Sequence, residues 1–333
     1  MRAAVINNFN EPWVVRDVET PKAGPGQVLI KIEASGMCGT DLHVHHGYLP
    51  VKPPIVAGHE PVGTIAEVGA GVNGLQAGDR VGVSWLQKGC GRCHPCQEGR
   101  ALYCMGQQSW MNLGGGNGEF MVAWADGVTM VPKGVSSAEA APIFCAGFTV
   151  MSGFRNAAPR PGDRVAVLGI GGLGHLALQI SKALGHETIA ITGSEGKKQE
   201  AKSLGADHVV VSGTDAGKAL MDIGGADVVL STSNSAAQIS QVLGGLRPEG
   251  RLVNMGIPDG PLTIPNLMGF MMGQQRIVGS TQNERRDLVD ALDLLAAGKI
   301  KPRLETYPLD KVNDVRDRLA AGKVRYRAVL TLD

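Results

Sequence analysis

The sequence is poor in aromatic residues and lacks long hydrophobic runs. Aromatic side chains make up 4% of the chain. No uninterrupted apolar stretch reaches the roughly 18 residues that a membrane-spanning helix needs. The N-terminal segment is broken by Asn7, Asn8 and Asn10, so it does not have the apolar core of a secretory signal. We therefore expect a cytoplasmic protein without a membrane partner.

An excess of charge of either sign is also absent. Charged residues are 19% of the chain and the formal net charge is +1, which gives no basis for binding nucleic acid or an anionic membrane. Glycine, in contrast, is abundant at 47 residues and follows no collagen period. This composition predicts many tight turns, as in an α/β enzyme.

The pattern of predicted elements changes near residue 150. The first 145 or so residues contain short β-branched segments, such as 28–32 and 63–68, bounded by glycine or proline. From residue 164 onwards, short apolar strands alternate with segments of helical spacing. The alternation predicts an α/β fold in which a parallel, doubly wound sheet follows a β-rich region.

Four of the six cysteines lie close together in a C-x2-C-x2-C-x7-C arrangement. Two-residue spacers let successive thiolates converge on one tetrahedral ion, and four thiolates leave no open coordination position. In a reducing compartment such a cluster indicates a metal site rather than disulfides. We therefore predict a structural zinc held by Cys90, Cys93, Cys96 and Cys104.

The two other cysteines, Cys38 and Cys145, lie far apart in the sequence. Together with His59 they form a possible three-ligand set that leaves a fourth position for water or substrate. Asp41 and Glu60 stand next to these candidates, where carboxylates orient metal ligands. Spacing alone does not establish the site, because His59 also fits an ordinary histidine and Cys145 a small core residue.

A G-x-G-x-x-G motif follows a predicted strand and opens a predicted helix. In that context glycines allow a tight turn and the approach of a pyrophosphate to the helix N-terminus. The alternative is a glycine-rich turn without a ligand. The motif consists of Gly169, Gly171, Gly172, Leu173 and Gly174.

The end of the next strand bears on the choice of cofactor. NAD-binding sheets usually carry an acid there for the ribose 2′-hydroxyl, and this chain has hydroxyls followed by lysines, which suit a 2′-phosphate. We therefore predict NADP(H), with residues Thr192, Gly193, Ser194, Lys197 and Lys198 at the adenosine end. The alternative is that the two lysines are solvated and Glu195 serves NAD(H).

These motifs together resemble the zinc-dependent medium-chain alcohol dehydrogenases, microbial branch, over essentially the whole chain. The matching stretches are residues 36–43, 58–60, 145–147 and 169–174, with the four-cysteine segment. The resemblance implies a GroES-like catalytic domain over 1–148 and 283–333, and a Rossmann domain over 149–282. It also implies a homodimer or homotetramer and two zinc ions per chain, one catalytic and one structural.

The resemblance further implies a role for each residue in the catalytic set. Cys38, His59 and Cys145 match the catalytic zinc ligands, Glu60 lies beside the metal, and Asp41 orients a ligand. Thr40 matches the hydroxyl that takes the substrate proton, and His43 the end of the proton relay. Where some members carry a basic residue after the first ligand, this chain has Gly39, so the resemblance does not imply a pyrophosphate contact at this position.

The expected activity is the interconversion of primary alcohols and aldehydes with a nicotinamide cofactor. Leu49, Trp85, Trp110 and Ile257 match pocket positions, although ordinary core packing explains each equally well. Leu49 replaces a bulkier aromatic of some relatives, which favours aromatic or medium-chain substrates. A zinc polyol or sugar dehydrogenase, a quinone or enoyl reductase, and a non-catalytic NADPH-binding protein are the alternatives.

Overall fold

The computed structural model describes residues 1–213 and 215–332. The strands are β1 Arg2–Ile6, β2 Val14–Asp17, β3 Gln27–Met37, β4 Ile55–Val56, β5 Glu60–Val68, β6 Arg80–Val83, β7 Leu86–Lys88, β8 Gln108–Ser109, β9 Phe120–Trp124, β10 Val128–Met130, β11 Arg164–Leu168, β12 Glu187–Thr192, β13 His208–Val211, β14 Ala226–Ser231, β15 Leu246–Asn254, β16 Arg276–Gly279, β17 Leu304–Pro308 and β18 Arg327–Thr331. The α-helices are α1 Gly39–His45, α2 His94–Gln97, α3 Trp110–Leu113, α4 Ser137–Ala140, α5 Ala146–Ala157, α6 Gly174–Ala183, α7 Lys198–Ser203, α8 Ala216–Asp222, α9 Ala236–Val242, α10 Leu267–Met272, α11 Arg285–Ala296 and α12 Val312–Ala320. Across these ranges, no helix is long and apolar enough to cross a membrane.

The chain divides into two compact units. The first is Met1–Cys145 with Pro302–Asp333, and the second is Ala146–Lys301. Helix α11 belongs to the second unit, whereas the boundary placed at 282/283 from the sequence assigned it to the first. The physical reason is a buried polar contact, because Asp287 of α11 accepts hydrogen bonds from Ser152 and Arg155 of α5.

The first unit is built around a mixed seven-stranded sheet in the order β10-β6-β5-β3-β18-β17, with β9 also paired to β3. Only β17 and β18 are parallel neighbours in it. A three-stranded sheet, β2-β1-β4, and a short β7-β8 pair complete the unit. The apolar faces of β3, β5 and β6 pack into one core with Trp110 of α3 and Val312 and Val315 of α12.

Strand β3 and its neighbour β5 bring Cys38 close to His59 and Glu60. It ends at Met37, directly before Cys38, and it pairs antiparallel with β5, which begins at Glu60 directly after His59. The register places Gly36 opposite Glu60. A Cβ atom on Gly36 would lie 2.0 Å from a carboxylate oxygen of Glu60, so only glycine leaves room for that side chain.

The second unit holds a six-stranded parallel sheet in the order β13-β12-β11-β14-β15-β16. All five residues of the inner strand β11 are buried, as in parallel strands that are covered on both faces. The strand order reverses at β11, so the turn after this strand lies at the switch point where such sheets bind ligands. The predicted alternation of strands and helices is confirmed.

Candidate functional site

Four side chains of the first unit converge at the end of β3, and three of them are buried while Cys145 is half-buried. The ligand atoms of Cys38, His59, Glu60 and Cys145 all lie within 4.8 Å of one another. The Cys38 sulfur is 3.3 Å from Nε2 of His59 and 4.0 Å from the Cys145 sulfur. Two sulfurs bound to one tetrahedral zinc at about 2.3 Å are about 3.8 Å apart, so this donor set fits Zn²⁺.

The start of helix α1 fixes the first ligand. Cys38 is the N-cap, and its sulfur accepts the Thr40 backbone N–H at 3.4 Å. The carboxylate of Asp41, which is fully buried, accepts the Cys38 backbone N–H at 2.8 Å. A carboxylate oxygen of Asp41 also lies 3.7 Å from Nδ1 of His59. Asp41 therefore connects two ligands that are far apart in sequence.

Contacts within this cluster shift the pKa of each ligand. The hydrogen bond from the Cys145 thiol holds the pKa of Cys38 well below that of an ordinary thiol, and the same contact raises the pKa of Cys145. Burial alone would lower the pKa of His59, but Cys38 and Asp41 raise it. Because the cluster stabilises positive charge in its centre, it suits a bound cation.

Glu60 is balanced by an arginine that the sequence analysis missed. Burial raises the pKa of Glu60 to about 7, although Arg327 opposes the shift. The two side chains form an ion pair in which both partners are buried. Oε2 of Glu60 has no hydrogen-bond partner among the described residues. The sequence did contain a signal for this ion pair, because Arg327 is a charged residue at the start of the largely apolar strand β18.

The expected proton-transfer residues lie on the same helix as the first ligand. Thr40 and His43 are three residues apart on α1, which places them on neighbouring positions of one face. Both are partly exposed. The His43 ring lies 6.0 Å from the ring of Tyr48, an exposed residue.

Aromatic rings border the buried cluster. The rings of His59 and Trp85 are 5.6 Å apart in an edge-to-face arrangement, and Trp85 meets Trp110 in the same way at 5.7 Å. Leu49 and Trp85 pack against the core that includes Trp110. The fourth predicted pocket residue, Ile257, belongs to the second unit and is 64% exposed.

The other four cysteines form a separate cluster in the first unit. Their sulfur atoms also lie within 4.8 Å of one another, and only Cys104 is buried. Backbone N–H groups of Arg92 and Cys93 lower the pKa of Cys90 to about 6. Four thiols with no other donor fit a closed zinc site and leave no position for a substrate.

The glycine motif forms the turn between β11 and α6. Gly169 has φ +90°, which favours glycine, and a Cβ on Gly174 would lie 1.9 Å from the Gly169 carbonyl oxygen. A Cβ on Gly171 would meet nothing within 4 Å. The turn predicted to bind the pyrophosphate is therefore closely packed at Gly169 and Gly174 and open at Gly171. Gly172 and Leu173 complete the turn into α6.

The two candidate lysines occupy different surroundings. Lys197 donates to the Ile170 carbonyl oxygen at 3.2 Å, which brings it next to the glycine turn. Lys198 forms an ion pair with Glu195 at 2.7 Å. Ahead of these residues, the Thr192 hydroxyl accepts the Ser194 backbone N–H, and Gly193 lies between them. The structure thus brings Lys197, but not Lys198, into contact with the turn.

Comparison with known families agrees with both units. The family described as "Alcohol dehydrogenase GroES-like domain" matches residues 24–133, and "Zinc-binding dehydrogenase" matches residues 172–297. An alcohol dehydrogenase of Geobacillus stearothermophilus is 41% identical over 338 residues, covering all of both chains. An aldehyde reductase of Synechocystis sp. is 35% identical and covers 92% of each chain.

Solved structures give the same result. The alcohol dehydrogenase of Aeropyrum pernix has a TM-score of 0.90 and 34% identity, with all of both chains covered. The CAD structure from Helicobacter pylori, a complex with NADP(H), has a TM-score of 0.88 and 26% identity, covering 99% of this chain and 97% of that one. The chain belongs to the zinc-dependent medium-chain alcohol dehydrogenase family.

Proposed function

We propose that this oxidoreductase interconverts primary alcohols and aldehydes with NADP(H) in preference to NAD(H), with aromatic or medium-chain substrates included. The observation that carries the proposal is the convergence of Cys38, His59 and Cys145, of which the first two are buried. Thr40 and His43 lie on the helix that Cys38 begins. A three-ligand set leaves a coordination position for the substrate oxygen, which a closed four-thiol site does not.

Each protein group has a defined task in this proposal. Zinc supplies Lewis acidity when bound, and the nicotinamide supplies or accepts the hydride. The Thr40 hydroxyl would accept the proton of the alcohol as it passes its own proton on through the cofactor ribose to His43, one turn further along α1, from which a proton leaves to solvent. Asp41 keeps Cys38 and His59 in place through its contacts with both.

The substrate range follows from the walls near the metal ligands. Trp85 places apolar ring surface next to His59, and the buried ring of Trp110 lies against Trp85. Leu49, packed against the same core, is smaller than an aromatic residue and so leaves space for a larger substrate. Ile257 is exposed in the second unit, and its role stays a prediction.

Lys197 supports the NADP(H) preference. It lies beside the glycine turn, where a 2′-phosphate on the adjacent ribose would meet its positive charge. Glu195, the candidate acid for NAD(H), is paired with Lys198 and is exposed. Both cofactors occur among similar structures: one is a complex with NADP(H), and another, from Geotrichum candidum, is a complex with NAD.

The decisive experiment measures kcat/KM for an alcohol and aldehyde panel with both cofactors. Wild type should prefer NADPH, and Lys197→Gln should lower that preference about tenfold, equivalent to roughly 1.4 kcal/mol. Lys198→Gln is the matched control and should change the preference little. A strong preference of wild type for NADH would contradict the cofactor assignment and leave the alcohol dehydrogenase activity intact.

Thr40→Val tests the proton-transfer role in the same assays. Valine has the shape of threonine without the hydroxyl, so turnover should fall at least about a hundred-fold, the lower end of the range for a positioned acid–base group. Zinc content should not change, because Thr40 does not supply a metal ligand. Turnover close to wild type would refute the proposed relay.

We also propose that the protein assembles as a homodimer or homotetramer. Helix α10 is apolar but contains no buried residue, and Leu267 and Met272 are 65% and 73% exposed. Strand β16 is an edge of its sheet, and its Ile277 is 39% exposed. A second copy would cover this surface. Light scattering should give a mass above one chain, and Met272→Glu should shift it towards the monomer.

A further inference from the structure

A short segment between α3 and β9, residues 115–117, lies against the loop that carries His59. Its three backbone N–H groups donate to the three carbonyl oxygens of residues 56–58 at 2.7, 2.8 and 2.9 Å. The last of these three residues directly precedes His59. The metal-ligand loop is therefore held by consecutive backbone hydrogen bonds rather than left as a free connection.

The approach of the two segments requires glycine. A Cβ on Gly115 would lie 2.4 Å from the carbonyl carbon and oxygen of Ala57, and a Cβ on Gly116 would lie 2.3 Å from Cβ of Pro61. Pro61 directly follows Glu60. Contacts of this segment consequently flank His59 and Glu60 on both sides, so a shift of residues 115–117 moves the ligand pair.

Asn117 adds a side-chain connection to this backbone contact. It is fully buried, and its Oδ1 accepts a hydrogen bond from the Ser35 hydroxyl at 2.7 Å. Ser35 is part of β3, three residues before Cys38. The same Oδ1 atom would lie 2.5 Å from a Cβ on Gly58, whose φ is +105°. Asn117 thus contacts the strand that delivers Cys38 and the loop that delivers His59.

Burying the side-chain amide of Asn117 opposes folding, and good packing alone is no reason to have an amide at this position. Nδ2 of Asn117 has no hydrogen-bond partner among the described residues, and a buried donor without a partner opposes folding. An apolar residue of similar size would avoid that cost. The hydrogen bond to Ser35 is the one contact that such a residue could not replace.

We propose that Asn117 is a positioning residue that, together with Ser35 and the 115–116 glycines, fixes the separation between Cys38 and His59 and so sets the affinity of the catalytic metal site. The inference rests on the proposed zinc site at these residues. Asn117 contacts the segments that carry the metal ligands, and it acts through those segments. The four-cysteine cluster is a separate set of ligands and serves as an internal reference in the same chain.

The test uses the zinc-loaded protein and two variants, Ser35→Ala and Asn117→Leu. After dialysis against a graded chelator series, zinc per chain is measured for each. Both variants should lose the zinc of the buried site at about 10–100-fold lower chelator strength than wild type, the range for partners that orient ligands, and retain the other zinc. Ser35→Ala removes a single hydroxyl and keeps the test valid if Asn117→Leu fails to fold.

A spectroscopic readout separates positioning from general destabilisation. In protein with cobalt at the buried site, both variants should shift the visible d–d bands, because these bands depend on ligand geometry. Val315→Ala is the matched control, since Val315 is a fully buried core residue of the same unit. It should lower the melting temperature without moving the bands or releasing zinc.

Three results would decide against the proposal or its basis. Unchanged zinc retention and spectrum in both variants would overturn the role of Asn117, as would equal zinc loss in Val315→Ala at a matched melting temperature. Wild-type protein with zinc only at the four-cysteine cluster would instead overturn the proposed catalytic site itself. The outcomes are distinguishable because wild type is measured in every series.

Discussion

The two cysteine clusters of the first unit both offer sulfur ligands, but one lies near the surface and the other is mostly buried. The four-cysteine cluster comes from a single short stretch, and three of its four members are at least partly exposed. The other cluster joins Cys38 and Cys145, which are 107 positions apart, and three of its four side chains are buried. A local cluster can hold its own loop, whereas a buried one depends on the whole unit.

The difference extends to how each cluster is balanced electrostatically. Backbone N–H groups near the surface lower the pKa of Cys90 to about 6. At the buried cluster, Asp41 and Arg327 supply charges from α1 and β18, two separate elements. Surface thiolates need little support, and buried charges need partners that only tertiary packing provides.

The largest expected effect separates the clusters by function. Cys145→Ser removes a ligand of the buried set, so activity should fall at least about a thousand-fold, equivalent to roughly 4 kcal/mol. Metal analysis should find the zinc of the four-cysteine cluster retained. Near-normal activity with both metals present would break the comparison, because the two clusters would then not differ in role.

A smaller effect should appear when the charge balance of the buried cluster is removed. Arg327→Met leaves the Glu60 carboxylate buried without its cation, and the free energy of unfolding should fall by about 3–5 kcal/mol. Denaturant titration measures it. Arg286→Met, at an exposed ion pair with a separation of 3.9 Å, is the control and should cost less than about 1 kcal/mol. Equal losses would mean that burial is not the cause.

The four-cysteine cluster should respond in stability more than in catalysis. Cys93→Ser should release its zinc and lower the melting temperature by about 4–8 °C, equivalent to roughly 2 kcal/mol for a protein unit of this size. Activity below the melting transition should fall less than about tenfold. Limited proteolysis should then cut between residues 90 and 104. A complete loss of activity in folded protein would contradict a structural role.

The smallest effect is expected at a surface ion pair beside the same cluster. Arg100 and Glu98 are 2.6 Å apart, and their side chains are 57% and 41% exposed. Arg100→Gln should change stability by less than about 1 kcal/mol and leave the zinc content unchanged, because the metal rather than this pair holds the loop. Loss of zinc in this variant would show that the ion pair supports the cluster.

Local patterns were sufficient for much of the fold and for part of the site. The glycine turn at 169–174 and the alternation after residue 164 predicted the parallel sheet, since both signals lie within one strand–turn–helix unit. The assignment of α11 differed, because its contact with α5 joins residues more than a hundred positions apart. Arg327 was missed for the same reason: its partner, Glu60, is far away in sequence.

The sequence by itself indicated the family through motifs distributed along the whole chain, and it predicted the closed four-cysteine cluster and the dinucleotide motif from residues at fixed short spacing. Only the tertiary structure decided that Cys38, His59, Glu60 and Cys145 meet, that Arg327 balances them, and that Lys197 rather than Lys198 reaches the glycine turn. The physical reason is that side-chain contacts between distant segments follow from strand register and packing, which short-range patterns do not specify.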